Sequence, residues 1–330
     1  MSGGRAAFRL SAVMLSLVLT ACAGGSAAGG DSTTTTTAAT TTSTSSTTSS
    51  TTTTTTTPST ITTGDTTTTT GPSSTSLPSI VGEGKTLLVM GDWGSGGDRM
   101  GEVADAMRAY AESNEVEAIL TTGDNFYSND VSKIMGPFSW VNDDGIDWWV
   151  TWGNHDEESD ARIAAVNEAF DSPVSWTTIS WGAADIVILD SNMVDSEEQL
   201  AYLKEQMAAI TKPTIMVFHH PAYSCSKHGS TDAVVETWVR EFDQDVFLVL
   251  NGHDHLYERF ESNGIVYVVS GGGGRGLYEV ESCPPGHPEM IIGDQTNHFL
   301  AISQDETGVN VTVIDRESVV IDEFTVSFPG

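Results

Sequence analysis

An α/β domain, a layered α-β-β-α sandwich of two packed mixed sheets flanked by helices, is what this sequence predicts over residues 85–330. Three observations predict it. Between residues 86 and 250, short apolar runs alternate with amphipathic helical patterns, as sheets covered by helices require. Beyond residue 265 the apolar runs follow one another with tight connections and no helical pattern between them, so the tail is rich in strands. Polar motifs recur just after the apolar runs, at the strand ends where open α/β sheets place their ligands.

In chain order, residues 86–90 read as a short buried strand and 98–113 as a helix. Residues 118–122 and 148–152 read as strands, 160–170 as a helix and 186–190 as a strand. Residues 196–210 carry a strong helical period, with Ser196 placed to cap the first turn through its hydroxyl. Strands at 214–218 and 246–250 bracket a helical pattern over 231–242. Strands at 265–270, 299–303, 309–314 and 319–326 complete the tail. No internal repeat is evident.

Upstream of this domain the sequence cannot build a core. Residues 31–76 are mostly threonine and serine, with too little apolar surface to offset the entropy of ordering the backbone. Residues 22–84 therefore read as a disordered linker, flexible or glycosylated, and the rest as one large domain. As an unmodified coil of about 60 residues the linker spans roughly 40–45 Å.

The chain carries a formal charge of −31. Only Asp31, Asp65 and Glu83 among its acids fall in the linker, so the acidity belongs to the folded domain. A nucleic-acid binder needs a basic footprint, and this surface excludes that class. It also repels anionic substrates unless bound cations reverse the local field.

Residues 1–21 read as a signal peptide: Arg5 and Arg9 precede an apolar stretch over 10–21 that is too short to span a bilayer. The stretch ends in Leu19-Thr20-Ala21-Cys22, which resembles the lipobox of bacterial lipoproteins. The expectation is an exported protein, lipid-anchored through Cys22 to the outer face of the cell membrane or else secreted. In such a compartment Cys225 and Cys283 read as a disulfide, with free buried thiols as the alternative.

Five motifs follow apolar runs in one order: Gly91-Asp92-Trp93-Gly94, Gly123-Asp124-Asn125-Phe126-Tyr127, Gly153-Asn154-His155-Asp156, Val217-Phe218-His219-His220 and Gly252-His253-Asp254-His255. Each alone reads as an ordinary turn or a surface histidine. Together they supply oxygen and nitrogen donors enough for two metal ions, with one carboxylate needed as a bridge.

Their order and composition resemble the calcineurin-like metallophosphoesterase superfamily, and within it the small, tartrate-resistant-like purple acid phosphatases. Tyr127 is the most specific point of the resemblance. It implies that Asp92, Tyr127 and His255 bind a first metal, that Asp124 bridges, and that Asn154, His220 and His253 complete the second. A hard phenolate donor suits Fe(III), and the mixed oxygen and imidazole set suits Zn(II), Mn(II) or Fe(II). His219 is left without a role beside the expected ligand.

The same resemblance gives His155 to the substrate phosphate and His228 to protonation of the leaving group. Arg275, after the glycine run 271–274, is a further phosphate contact; with no helix signalled behind it, this run is not a P-loop. His287 and His298 carry no motif. The implied activity is that of an acid phosphatase, a phosphoric ester hydrolase acting on a phosphorylated small molecule through a metal-bound hydroxide. A phosphodiesterase or nucleotidase on the same scaffold is the enzymatic alternative. A non-catalytic surface lipoprotein that binds phosphate or a partner is the alternative of another class.

Overall fold

The computed structural model describes residues 80–82, 85–171 and 173–330. The expected signal peptide, Cys22 and the Thr/Ser-rich tract lie outside the described residues. The chain runs β1 (Ile80–Gly82), β2 (Thr86–Met90), α1 (Asp98–Ala111), β3 (Val116–Thr121), α2 (Val131–Met135), α3 (Ser139–Asp143), β4 (Asp147–Trp149) and α4 (Asp160–Phe170). It continues through β5 (Thr177–Trp181), β6 (Ala184–Ile188), α5 (Glu197–Ala209), β7 (Thr214–Val217), α6 (Asp232–Thr237) and β8 (Val246–Asn251). The tail holds β9 (Tyr257–Ser262), β10 (Ile265–Ser270), β11 (Met290–Asp294), β12 (His298–Gln304), β13 (Gly308–Asp315) and β14 (Val320–Ser327).

These strands form two mixed sheets, ordered β1-β5-β6-β7-β8-β10-β9-β11 and β14-β13-β12-β2-β3-β4. In the first, β6, β7, β8 and β10 pair in parallel and β9 returns antiparallel. In the second, β2, β3 and β4 are parallel while β12, β13 and β14 are antiparallel. β1 pairs with β5, so the folded part begins upstream of the expected boundary at residue 85.

Strand residues point alternately to opposite faces, and that period sorts the core. Leu87, Val89, Ala118 and Leu120 meet Ile186, Ile188, Ile215 and Val217 between the sheets. Their neighbours Leu88, Met90 and Ile119 face outward onto Met100, Val103 and Met107 of α1. On the other flank Val187 and Met216 pack with Leu203 of α5 and Val234 of α6. Both faces of the central strands are thus covered, which is why they read as unbroken apolar runs.

Most boundaries agree with the sequence reading. Ser196 caps α5, its hydroxyl accepting from the Gln199 amide at 3.3 Å. The helix expected over 231–242 stops earlier. It gives way to a 3-10 turn at Val239–Glu241 next to Trp238, which is fully buried with its ring 5.4 Å from Phe218.

Candidate metal centre

The loops that leave β2, β3 and β8 turn sharply, with Asp92 at φ 54°, Asp124 at φ 52° and His253 at φ 71°. Left-handed backbone is uncommon for residues with a Cβ and marks strain held by the surroundings. Here the surroundings are the site itself: Asp92 Oδ2 accepts from the His253 amide at 2.8 Å, and Asp124 Oδ1 from the His155 amide at 2.9 Å. Gly153 has to be glycine, since a Cβ there would fall 2.3 Å from Asp124 Oδ1.

Asp92, Asp124 and His219 each offer a ligand atom, all within 4.8 Å of one another. Tyr127 Oη adds a third kind of donor, 3.0 Å from Asp92 Oδ1, 2.8 Å from Asp124 Oδ2 and 3.2 Å from His255 Nε2. Asn154 Oδ1 lies 3.2 Å from His219 Nε2 and 3.1 Å from His253 Nδ1. Six of the seven expected ligands therefore converge.

The seventh position differs. His219, not His220, faces Asp124: its Nε2 is 3.3 Å from Asp124 Oδ1. His220 instead places Nδ1 2.8 Å from Ser191 Oγ, with its ring 4.5 Å from that of His253. Chain parity explains the exchange. The backbone stays laddered beyond β7, with the Phe218 amide donating to Leu250 O and the Gly252 amide to His219 O, so His219 keeps the facing of Val217.

The donor chemistry fits cations. His219 Nδ1 lies 2.8 Å from Thr122 O, an acceptor, so Nδ1 carries the proton and the Nε2 lone pair points inward. His255 repeats the arrangement, with Nδ1 2.7 Å from Gly276 O and Nε2 3.4 Å from Asp92 Oδ1. Inward lone pairs facing buried carboxylate and amide oxygens repel one another unless a proton or a metal ion stands between them.

The shifted acidities follow from the same crowding. Burial pushes the Asp92 carboxyl up to about 6 and, with Asp92 and Asp124 beside it, holds the Tyr127 phenol well above its ordinary value. Burial pushes His253 down to about 2 and His219 well below the usual imidazole range. His255 is raised, because its bond to Asp92 and the carboxylates around it outweigh burial.

His155 and His228 stand at the rim. The His155 ring lies 4.5 Å from Tyr127, and Nδ1 is 3.3 Å from Glu158 Oε2. The His228 ring lies 4.4 Å from His253 and 5.4 Å from Tyr278. The Arg275 guanidinium sits 4.3 Å over the Tyr127 ring. His298 is fully buried and hydrogen-bonded to Ser270 Oγ at 3.1 Å, a packing role.

Two supports escaped the sequence reading. Asp156, fully buried and pushed up to about 8 by burial, accepts from the amides of Gly153, Asn125 and Phe126 at 2.9–3.1 Å. Arg162 reaches from α4 to the carbonyls of Phe126 and His155 and so ties two ligand loops together. The sequence signal for Asp156 is its place within the asparagine motif; α4 offers none for Arg162. Cys225 and Cys283 are disulfide-bonded across 58 residues, which joins the loop bearing His228 to the segment after the glycine run.

The calcineurin-like phosphoesterase family model matches residues 85–257. Purple acid phosphatase 3 of Arabidopsis thaliana is 25% identical over 241 residues, covering 60% of this chain and 65% of the plant protein. Tartrate-resistant acid phosphatase type 5 of Sus scrofa is 26% identical over 234 residues, covering 57% and 69%. Among solved structures, the purple acid phosphatase PPD1 from yellow lupin superposes with a TM-score of 0.62 at 17% identity, over 74% of this chain and 53% of that one. GAP50 of the Plasmodium inner membrane complex gives 0.64 at 16%, over 74% and 89%, and like PPD1 it shows the shared fold. By its motifs, its two-sheet fold and these relatives, the chain belongs to the calcineurin-like phosphoesterases, a family of phosphoric ester hydrolases, and its resemblance within that family is to the purple acid phosphatases.

Proposed function

We propose that the protein is a dinuclear-metal acid phosphatase that hydrolyses phosphate monoesters outside the cytoplasm. The observation that carries this reading is the convergence of Tyr127 Oη on Asp92, Asp124 and His255 beside the inward-facing His219. Asp92, Tyr127, Asp124 and His255 would hold one ion, and Asp124, Asn154, His219 and His253 the other. An anionic phenolate in the first set favours Fe(III), while the second set suits Zn(II), Mn(II) or Fe(II).

When bound, the two ions supply Lewis acidity toward phosphoryl oxygens and an activated water. The chain's own residues do the rest. Asp124 is fixed by the His155 amide, so this carboxylate, which would serve both ions, moves with the rim histidine. His155 binds the phosphoryl group from the Tyr127 flank, and Arg275 adds positive charge on the same flank. His228 protonates the departing ester oxygen from a ring nitrogen, a contribution typically worth ~10²–10⁴-fold.

Export and tethering through Cys22 belong to the same proposal and rest on the sequence alone: arginines before a short apolar stretch that ends in Leu19-Thr20-Ala21-Cys22. Cys22→Ser is expected to release the protein or block its processing; a native protein found free in the medium without lipid would refute the anchor. The catalytic reading is tested by turnover of p-nitrophenyl phosphate against bis-p-nitrophenyl phosphate from acid to alkaline pH, alongside metal analysis. Monoester turnover at acidic to neutral pH with two metals per chain is expected. Diester preference would make it a phosphodiesterase, and no turnover by metal-loaded protein would leave a binding protein.

A further inference from the structure

The loop from Pro221 to Thr231, between β7 and α6, carries His228 yet has no helix or strand of its own. His228 is exposed, and its ring lies 4.4 Å from that of His253 and 5.4 Å from that of Tyr278. The loop is held from beneath by three buried side chains. Ser224 Oγ lies 2.7 Å from Asp254 Oδ2 and 2.7 Å from Glu258 Oε2. Asp254 Oδ1 accepts from the His228 amide at 3.0 Å, and Glu258 Oε1 from the Cys225 amide at 3.0 Å. Ser224, Asp254 and Glu258 are all buried, so water does not replace a lost partner.

A hydroxyl carries one proton, and both its neighbours here are carboxyl oxygens. The Ser224 hydroxyl is therefore the single group on which Asp254 Oδ2 and Glu258 Oε2 converge, and removing it breaks both contacts at once. Asp254 also stands between His253 and His255, so a single residue links the His228 loop to the metal-binding loop.

The geometry points to Ser224, held between Asp254 and Glu258, as the positioning residue that sets His228 over the departing ester oxygen. This rests on the reading of His228 as the leaving-group acid, and the test separates the two. An alkyl phosphate needs a proton on its leaving oxygen, whereas p-nitrophenolate leaves without one. Ser224→Ala is expected to slow the alkyl phosphate about 10-fold more than p-nitrophenyl phosphate. His228→Ala should show the same discrimination, and the double variant should be no worse than His228→Ala, because the two act as one unit. Ser224→Thr, which keeps the hydroxyl, should restore the wild-type ratio.

A second readout needs no metal and no turnover. In the metal-free protein, amide hydrogen exchange at His228 and Cys225 should speed up by about 10-fold or more in Ser224→Ala while β8 amides hold. Equal slowing of both substrates, additive losses in the double variant, or unchanged exchange at these amides overturns the inference. If His228→Ala itself fails to discriminate, the acid role falls; if it discriminates and Ser224→Ala does not, only the brace falls. Should Ser224→Ala not fold, Glu258→Leu breaks one of the two hydroxyl links while filling the space, and it is read by the substrate ratio and by exchange at His228 alone, because Glu258 is itself the acceptor of the Cys225 amide.

Discussion

His219 directs Nε2 at Asp124 Oδ1 across 3.3 Å while its Nδ1 is engaged by Thr122 O at 2.8 Å. The backbone carbonyl fixes the tautomer and leaves the Nε2 lone pair turned toward the carboxylate, two donors that a cation between them would reconcile, the arrangement by which outer partners orient a metal-binding histidine. His220 is turned to Ser191 instead. His219→Ala should therefore cost one of two metal ions and more activity than the roughly 10–100-fold typical of losing an outer partner. His220→Ala should keep both ions. Metal counting on the two purified variants checks the assignment, and the reverse pattern would restore His220 as the ligand.

How much of this was legible in the sequence depended on how each residue is held. Strands covered on both faces, such as β2 and β8, announce themselves as apolar runs, and the motifs after the strands, through their resemblance to the metallophosphoesterases, singled out Asp92, Asp124, Asn154, His253 and His255 as expected ligands. The choice between His219 and His220 needed the facing of Val217 carried two residues past the strand, a parity the sequence holds but the motif hides. β9 was missed because three of its six residues, Glu258, Arg259 and Glu261, are charged and interrupt the apolar run. Arg259 of β9 pays for this by pairing with Asp322 of β14 at 2.8 Å, a partner 63 residues away. Arg162 was missed because the two contacts by which it ties the loops are to backbone carbonyls, which no side-chain pattern reports, beside its side-chain partners Asn129 and Glu158.

Tyr127 is neutral when no metal is bound, since burial and two carboxylates raise its pKa well above the ordinary value. Only a strong Lewis acid brings out the phenolate, and a ferric ion does so with visible absorption. The iron-loaded protein should be coloured, and Tyr127→Phe should remove that colour with the fold retained, because one oxygen is lost from a ring that stays packed beside His155 and His255. The check is the visible spectrum with iron analysis. A colourless, iron-free protein of full activity would remove Tyr127 from the ligand set.

The Cys225–Cys283 bond closes 58 residues that include α6, β8, β9 and β10. Closing a loop of that length restricts the unfolded chain by about 4 kcal/mol on the chain-entropy account. In a domain of this size that is roughly 10 °C of melting temperature. Scanning calorimetry of the Cys225→Ala/Cys283→Ala protein against wild type measures it. Alkylation of the unreduced wild type should find neither thiol free.

The metal-free domain should lose stability as pH rises from about 6.5 to 8.5. Burial raises the carboxyls of Asp190 and Glu258 to about 7 and that of Asp156 to about 8. Each holds a proton in the folded state that its unfolded counterpart has already released at these pH values, so folding weakens with rising pH until the folded carboxyl has released it too. His255, raised by Asp92, acts in the same direction. The lowered histidines His219, His253 and His298 act oppositely, because they charge on unfolding, but only below the unfolded imidazole value near 6.5. Above it the carboxyls decide the sign. Asp190→Asn should flatten part of the slope, since burial and the neighbouring Glu157 carboxyl together raise the Asp190 pKa. Metal ions should shrink the pH dependence further by taking the place of protons at Asp92 and His255, with protons released on binding. Melting temperatures across this range, with and without metal, give the answer; a metal-free protein that grows more stable toward pH 8.5 would show that these carboxyls are already ionised in the folded state.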